Sequence, residues 1–437
     1  MAARLQISPS YLNLLERNQR PLTTRVLMQL VAEFEVDPLA LQPDRQIGGV
    51  AGLTRRLGDS RFDDLPIDRD EIEEFASTTP HIASAFARLY DSASLSASAP
   101  QDPLSVSRHL IEQWRNHFAD LDLAAEQLAD ELRLTQGEIG PALVDYLRRK
   151  HQLSVRIVPQ EVIGGAVRRL DLHARQVQLS ELLPPASRTF QLAKQVALLE
   201  QRGAVEALGA GSELGRQATA RILFERHLYS YFAAALVMPY SRFLRACQAT
   251  GYDLHILQRR FGVSFEQLAH RLTTLQRVGE RGSPFFMARV DPAGQFSKLF
   301  TGASGATFLG QRGSCPLWHL HLAFTRPGEW HLQRMQVDGA SPADWITIAR
   351  STGSEESGAR FAVALGVETR LAGELAQVNR SPALPVTPTG ITCTRCHRPA
   401  CRQRSRLPEG VTLSGERVRE SSSPLSLLSE RGHSADE

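Results

Sequence analysis

The sequence predicts a mainly α chain with an α+β middle and a β-rich C-terminal part, and three observations carry that reading. Apolar residues three and four positions apart recur in stretches from the N-terminus to about residue 275, the period of amphipathic helices. After Gly279 the pattern turns to short strand-like runs, Phe285–Asp291, Gln295–Phe300, Trp330–Val337 and Trp345–Ser351. Late in the chain, Cys393, Cys396 and Cys401 form a Cys-x2-Cys-x4-Cys run that places three thiols on one tight loop.

Each element has a local reason. Ser8 can cap a first helix with Pro9 at its first position, and Tyr11, Leu12 and Leu15 give that helix an apolar stripe. Gln19–Thr23 is a turn into a second amphipathic helix carrying Val26, Leu27, Leu30, Val31 and Phe34. Further helices are expected over Arg69–Phe75 and Ala83–Tyr90, and Ser92–Pro103, rich in Ser, Ala and Pro, reads as a linker. Leu110–Phe118, Ala124–Leu132 and Gly140–His151 read as helices, then Leu153–Pro159, Ala166–Leu172 and Gln176–Leu179 as strands. The helical run resumes over Arg188–Arg202, Leu214–Met238, Phe243–Ala249, Leu254–Phe261 and Phe265–Leu275.

At 437 residues the length suggests roughly three domains. We divide the chain into a partial helix-turn-helix domain (1–42), a helical connector and linker (43–102), a helical ligand-sensing domain (103–278), a β-rich domain with the cysteines (279–408) and a polar tail expected to be disordered (409–437). A net charge of +3 is only weakly basic, so a nucleic-acid surface has to be local. No export signal is visible at Met1–Gln6, and the longest apolar stretch, Tyr231–Met238, is far short of the ~20 residues that span a bilayer. With its few cysteines grouped, the chain is expected in the cytoplasm, without membrane contact.

A thiolate is a soft ligand for zinc or an iron–sulfur cluster, and Cys315 is the natural fourth ligand beside Cys393, Cys396 and Cys401. The loop lacks the paired knuckles of common zinc sites, which favours a 4Fe-4S cluster, with zinc as the alternative. Three free thiols in a loop and a buried Cys315 would be the plain structural reading. Cys247, among Phe243, Leu244 and Ala246, reads as core.

Helix, sharp turn and second helix are the geometry of a DNA-reading helix-turn-helix, and Ala3–Pro21 resembles phage-repressor-type regulators. The resemblance implies that Pro9, Ser10, Tyr11 and Asn13 read bases, while Arg17, Asn18 and Arg20 hold phosphates of a double-stranded operator. It also implies a further helix before Met1, whose absence points to an upstream start or an impaired DNA-binding domain. Paired half-sites imply a homodimer.

Phe190–Glu200 resembles the zinc-binding helix of ImmA/IrrE-type metallopeptidases, and Tyr231–Pro239 their following helix. Lys194, Gln195 and Leu198 stand where His-Glu-x-x-His is expected, so peptidase activity is not expected and the fold is left as a ligand pocket. Together with Leu183–Phe190, Phe261–Leu275 and Cys315–Trp318, these strings resemble bacterial short-chain fatty acyl regulators. The resemblance implies a non-enzymatic transcription regulator of glyoxylate or methylcitrate genes with acyl-coenzyme A as effector. Coenzyme A needs cations around an apolar slot, for which Arg168, Arg188, Arg271 and Lys298, with Tyr231 and Phe232, are the candidates. The alternatives are a metallopeptidase acting on a repressor partner and a truncated paralogue with impaired DNA binding.

Overall fold

The computed structural model describes residues 49–408 except 59–61, 63–64, 66, 98–101, 133–138, 211–216, 307, 310–313, 338–342, 354–357, 382–383 and 399–400, together with positions 2, 4, 5, 7, 8, 12, 15, 26, 29, 33 and 425. The chain divides into two compact units, Met1–Asp102 and Pro103–Glu437.

In the first unit Leu12, Leu15, Val26, Gln29 and Glu33 are helical, and the Leu12 N–H donates to the Ser8 carbonyl at 3.0 Å. The expected DNA contacts Pro9, Ser10, Tyr11, Asn13, Arg17, Asn18 and Arg20 all lie outside the described residues, as does nearly all of 409–437. Three helices follow, α1 (Gly49–Leu57), α2 (Arg69–Thr78) and α3 (Pro80–Ala97), packed around Leu53, Ile72, Ala83 and Ala87. Asp68 caps α2 by accepting from the Glu71 N–H at 2.8 Å. Helix α3 runs to Ala97, well into the stretch expected as a linker, because Ser and Ala are tolerated in a helix where Pro is not.

The second unit begins with α4 (Pro103–Gln113), α5 (Ala119–Glu131) and α6 (Ile139–His151). The sequence places a helix over 110–118, but the chain leaves α4 at Gln113 and turns through Arg115 and Asn116 at φ 50° and 52°. Asn116 is almost fully buried there and bonds across the fold, so tertiary contacts override the local helical pattern. A three-stranded sheet follows, β1 (Ser154–Val158), β2 (Arg168–Asp171) and β3 (Gln176–Ser180), with β3 central, parallel to β1 and antiparallel to β2. Six helices come next: α7 (Pro185–Glu200), α8 (Arg202–Ala210), α9 (Ala218–Val237), α10 (Tyr240–Ala249), α11 (Leu254–Phe261) and α12 (Phe265–Leu272). A capping box at Ser264 and Gln267 sets the start of α12.

A six-stranded sheet closes the unit. Its strands are β4 (Phe286–Val290), β5 (Phe296–Phe300), β6 (His331–Val337), β7 (Ala343–Thr352), β8 (Phe361–Glu368) and β9 (Val386–Thr389), in the order β9-β6-β7-β8-β4-β5. Only the β9–β6 pairing is parallel. Met287, Ile346, Ile348, Val363 and Leu365 share one core with the helices, while Phe286, Ala288, Trp318, Met335, Trp345 and Ala364 form a second core on the other face. The helical and β-rich regions that the sequence suggests as separate domains therefore share apolar packing within one unit. Strand β8 is absent from the sequence reading because it is buried on both faces; its continuous apolar run has no period to distinguish strand from helix.

At the centre of the helical core, Arg271 of α12 and Asp122 of α5, both with fully buried side chains, pair at 2.6 Å. Arg271 Nε also donates to the Met238 carbonyl at 3.0 Å, and Tyr231 Oη donates to Asp122 at 2.7 Å. Burial raises the Asp122 carboxyl, but the Arg271 charge and the bonds from His117, Tyr231 and Arg271 outweigh it and hold the group below its ordinary 3.8. The pair's contribution is therefore complete above pH 3.8 and is lost as the pH falls through the lower folded value. Asp122→Ala should destabilise the second unit by about 3–5 kcal/mol in denaturant unfolding, because it strands a buried guanidinium. Arg202→Ala, which breaks an exposed pair with Glu206, should leave the midpoint unchanged.

Candidate functional site

Four helices and one strand converge on a cavity of ≈ 480 Å³ in the second unit, within the range of about 300–1,000 Å³ typical of small-ligand sites. Helix α7 presents Phe190 and Lys194, and α9 presents Leu223, Arg226, His227 and Ser230, spacings of three and four that lie on one helical face. Leu104, Arg108 and Ile111 come from α4, Glu266 and His270 from α12, and Lys298–Phe300 from β5. Cations and apolar side chains therefore line the same cavity.

Lys194 Nζ donates to Ser230 Oγ at 2.9 Å, and Ser230 Oγ donates in turn to the Arg226 carbonyl at 2.8 Å. Burial, then the charges of Arg168, Lys298 and Arg226, push Lys194 down to about 8. Lys298 has a different setting, paired with Glu266 at 2.6 Å. Burial raises Glu266, but Lys298 and Arg289 outweigh it and hold the carboxyl low. Behind the cavity, Asn116 accepts from His227 Nε2 at 2.9 Å, donates to Thr273 Oγ1 at 2.9 Å and lies 3.4 Å from His270 Nε2. Burial, then Lys298 and Lys194, depress His227 to about 3, and burial with His227, Lys298 and Arg271 takes His270 well below 6.5.

Of the six residues expected to hold a coenzyme A ligand, Lys298 lines this cavity. Tyr231, Phe232 and Arg271 do not; all three are fully buried in the core, where Tyr231 and Arg271 belong to the Asp122 network. Arg168 donates to the Gln191 carbonyl at 3.2 Å and acts on Lys194 through its charge. Arg188 donates to the Glu181 carbonyl at 2.8 Å, with its Nε buried and unpartnered. Sequence reasoning missed Arg226, His227, Ser230 and His270 as cavity groups, and Asn116 behind them; the available signal was the polar trio Arg226, His227 and Ser230 at helical spacing on one face of α9.

Where a peptidase would carry its motif, Lys194 faces the cavity and Gln195 is buried; neither Lys194 nor Leu198 offers an imidazole. Among the described residues, no three His, Cys, Asp or Glu side chains form a group that could hold a metal ion as they stand.

The cysteines occupy a second place. Strand β9 runs parallel beside β6 and delivers Gly390–Cys396 to the sheet edge. Gln333 of β6 holds the Cys315 loop by donating to the Leu317 carbonyl at 2.9 Å and accepting from the His319 N–H at 2.8 Å. Cys315, Cys393, Cys396 and Cys401, none of them in a disulfide, thereby line one small cavity of ≈ 10 Å³. Arg404, also on that cavity and buried, donates to the Cys396 carbonyl at 2.8 Å and leaves its Nε without a partner. A Cβ on Gly390 would stand 2.7 Å from the Cys396 sulfur, so only glycine permits this approach. Cys247 is buried in the helical core, as expected, and burial raises its thiol.

The description "Short-chain fatty acyl coenzyme A regulator, C-terminal" matches residues 274–425, and "IrrE N-terminal-like domain" matches residues 148–273. The HTH-type transcriptional regulator RamB of Mycobacterium tuberculosis is 33% identical over 97% of this chain and 94% of its own length. The chain belongs to the short-chain fatty acyl coenzyme A regulators. The regulator is also 31% identical to the HTH-type transcriptional regulator PrpR of M. tuberculosis, over 93% of this chain and 87% of that one. A propionyl-CoA carboxylase regulator of Cereibacter sphaeroides is 34% identical over 92% of this chain and 89% of its own. A solved M. tuberculosis transcriptional regulator superposes with a TM-score of 0.68 at 32% identity, covering 74% of this chain and 99% of that chain. The expected role, a transcriptional regulator of acyl-coenzyme A metabolism, follows from this membership. No helix among the described residues is long and apolar enough to cross a membrane.

His227 and His270 are held neutral in the fold, so between pH 6.5 and their depressed values the unfolded chain binds more protons than the folded one. Stability should fall as the pH drops below 6.5, by up to about 1.4 kcal/mol per pH unit for each ring. Urea unfolding at pH 7.5 and 5.5 measures it, and a His227→Gln/His270→Gln variant should lose less on acidification; an equal loss would acquit the two histidines.

Proposed function

We propose that the regulator senses an acyl-coenzyme A in the Lys194 cavity and passes the signal to an operator bound by its N-terminal helix-turn-helix. The observation that carries this reading is the lining of that cavity: Arg108, Lys194, Arg226 and Lys298 offer charge for phosphates, while Leu104, Ile111, Phe190, Leu223 and Phe300 offer an apolar slot for an acyl chain. The relatives' names supply the ligand class, and the cavity chemistry agrees with it. DNA contact by Pro9, Ser10, Tyr11, Asn13, Arg17, Asn18 and Arg20, and binding as a homodimer, complete the proposal; both rest on the helix-turn-helix resemblance. Arg168 belongs to the sensing site through its charge on Lys194.

Cys315, Cys393, Cys396 and Cys401 would hold a 4Fe-4S cluster, or zinc as the alternative. Four cysteines on one cavity, the Gly390 cradle and the unpartnered Arg404 Nε beside them suit an anionic thiolate centre. Such a centre would clip the late loop to the Cys315 segment at the sheet edge.

Acetyl- or propionyl-coenzyme A at 100 times its Kd should stabilise the folded regulator by about 2.7 kcal/mol. Arg226→Ala should weaken that thermal shift; no shift with either ligand would remove the sensing proposal. For the operator, Arg17→Ala and Arg20→Ala should each reduce the salt dependence of binding by about one unit, while Asn13→Ala should change sequence preference. Anaerobically purified protein should be brown with bound iron and sulfide, or colourless with one zinc in the alternative, and Gly390→Ala should lower the metal content. Metal-free protein of unchanged stability would overturn the thiolate centre.

A further inference from the structure

Lysine is rare in this chain. Of its 50 basic Lys and Arg residues only Lys150, Lys194 and Lys298 are lysines, and two of the three line the same cavity. Arginine supplies fixed charge almost everywhere else, and it holds phosphate at least as well as an ammonium. What an amine can do and a guanidinium cannot is lose its proton and act as a nucleophile.

The three amines differ in their settings. Lys150 is half-exposed and donates to Tyr146 Oη at 2.5 Å and Glu200 at 3.2 Å; the Tyr146 bond raises it above its ordinary value. Lys298 is tied to the Glu266 carboxylate. Lys194 has no carboxylate in ion-pair reach among the described residues, and its polar partner is Ser230 Oγ. Ser230 is itself fixed by its bond to the Arg226 carbonyl, so it holds the amine in one place inside the cavity. Arg168, Arg226 and Lys298 surround that amine with positive charge, which disfavours its protonation and attracts an anionic ligand.

We propose that Lys194 is acylated by the effector it helps to bind. Its Nζ attacks the thioester carbonyl of an acyl-coenzyme A in the cavity, an amide N–C bond forms, and the C–S bond breaks. The proton lost by the nitrogen leaves on the coenzyme A thiolate as the free thiol, so the step is a balanced acyl transfer that needs no other reactant. The product removes a positive charge from the cavity and leaves the acyl group in the apolar slot, which turns a transient ligand signal into a lasting one. This inference rests on the acyl-coenzyme A reading above.

The test is mass spectrometry of the full chain, in which three lysines and the N-terminus are the amines that can react. Incubation with propionyl-coenzyme A should add one propionyl group, mapped to Lys194 and absent from Lys194→Arg. With Lys194 near 8, the rate should rise with pH and level off above about pH 8. At neutral pH more of Lys194 than of Lys150 is unprotonated, because burial and neighbouring cations lower Lys194 while the Tyr146 bond raises Lys150, so Lys150 in the same molecule should react more slowly. The pH profile and the Lys150 comparison use unaltered protein and do not depend on a variant that folds. S-propyl-coenzyme A, a thioether, should stabilise the protein without modifying it. Thermal stabilisation by the thioether with no acylation of Lys194, or acylation of Lys150 and Lys194 at equal rates, would overturn this inference alone. Absence of stabilisation by either ligand would overturn the sensing reading together with it.

Discussion

The buried Arg271–Asp122 pair is the constraint around which the second unit is arranged. It joins α5 to α12, and through Tyr231 and the Met238 carbonyl it takes in both the middle and the end of α9. A guanidinium and a carboxylate removed from water are costly unless every remaining donor and acceptor is matched, and here Thr274, Met238, Tyr231 and His117 do the matching. Because α9 and α12 carry His227, Ser230, Glu266 and His270, the same pair sets the walls of the cavity. Arg271 and Tyr231 looked from the sequence like ligand contacts, but they brace the helices that carry the cavity lining.

Asn116 is the second part of that frame. Its left-handed backbone, which asparagine tolerates better than most residues, ends α4 early and turns its amide toward His227, His270 and Thr273. The neutral histidines are therefore held by hydrogen bonds to an amide, which never ionises. Where related peptidases use imidazoles and a carboxylate to hold zinc, this cavity presents an amine, a hydroxyl and two neutral rings among cations. That electrostatic character suits an anionic ligand.

The sheet has a corresponding role for the cysteines. Strand β9 is short and sits at the edge, yet its parallel register with β6 brings Gly390–Cys396 beside the segment that Gln333 holds. The two thiol-bearing segments are distant in sequence and meet only because one strand pairing places them side by side.

Sequence alone determined the elements with strong helical periods, the hairpin around Asp291–Gly294 and the family through its motif strings, since each is written in residues close together along the chain. It also grouped three of the thiols, because Cys393, Cys396 and Cys401 share one loop. Strand β8 was illegible, because burial on both faces erases the alternation that marks a strand. The end of α4 was illegible as well, because Asn116 leaves the helix for partners more than a hundred residues away. Only the tertiary structure decided which cations face the cavity. Arg271 and Lys298 are both plausible phosphate ligands in one dimension, and the difference lies in the burial of one against Asp122 and the placement of the other at a cavity wall.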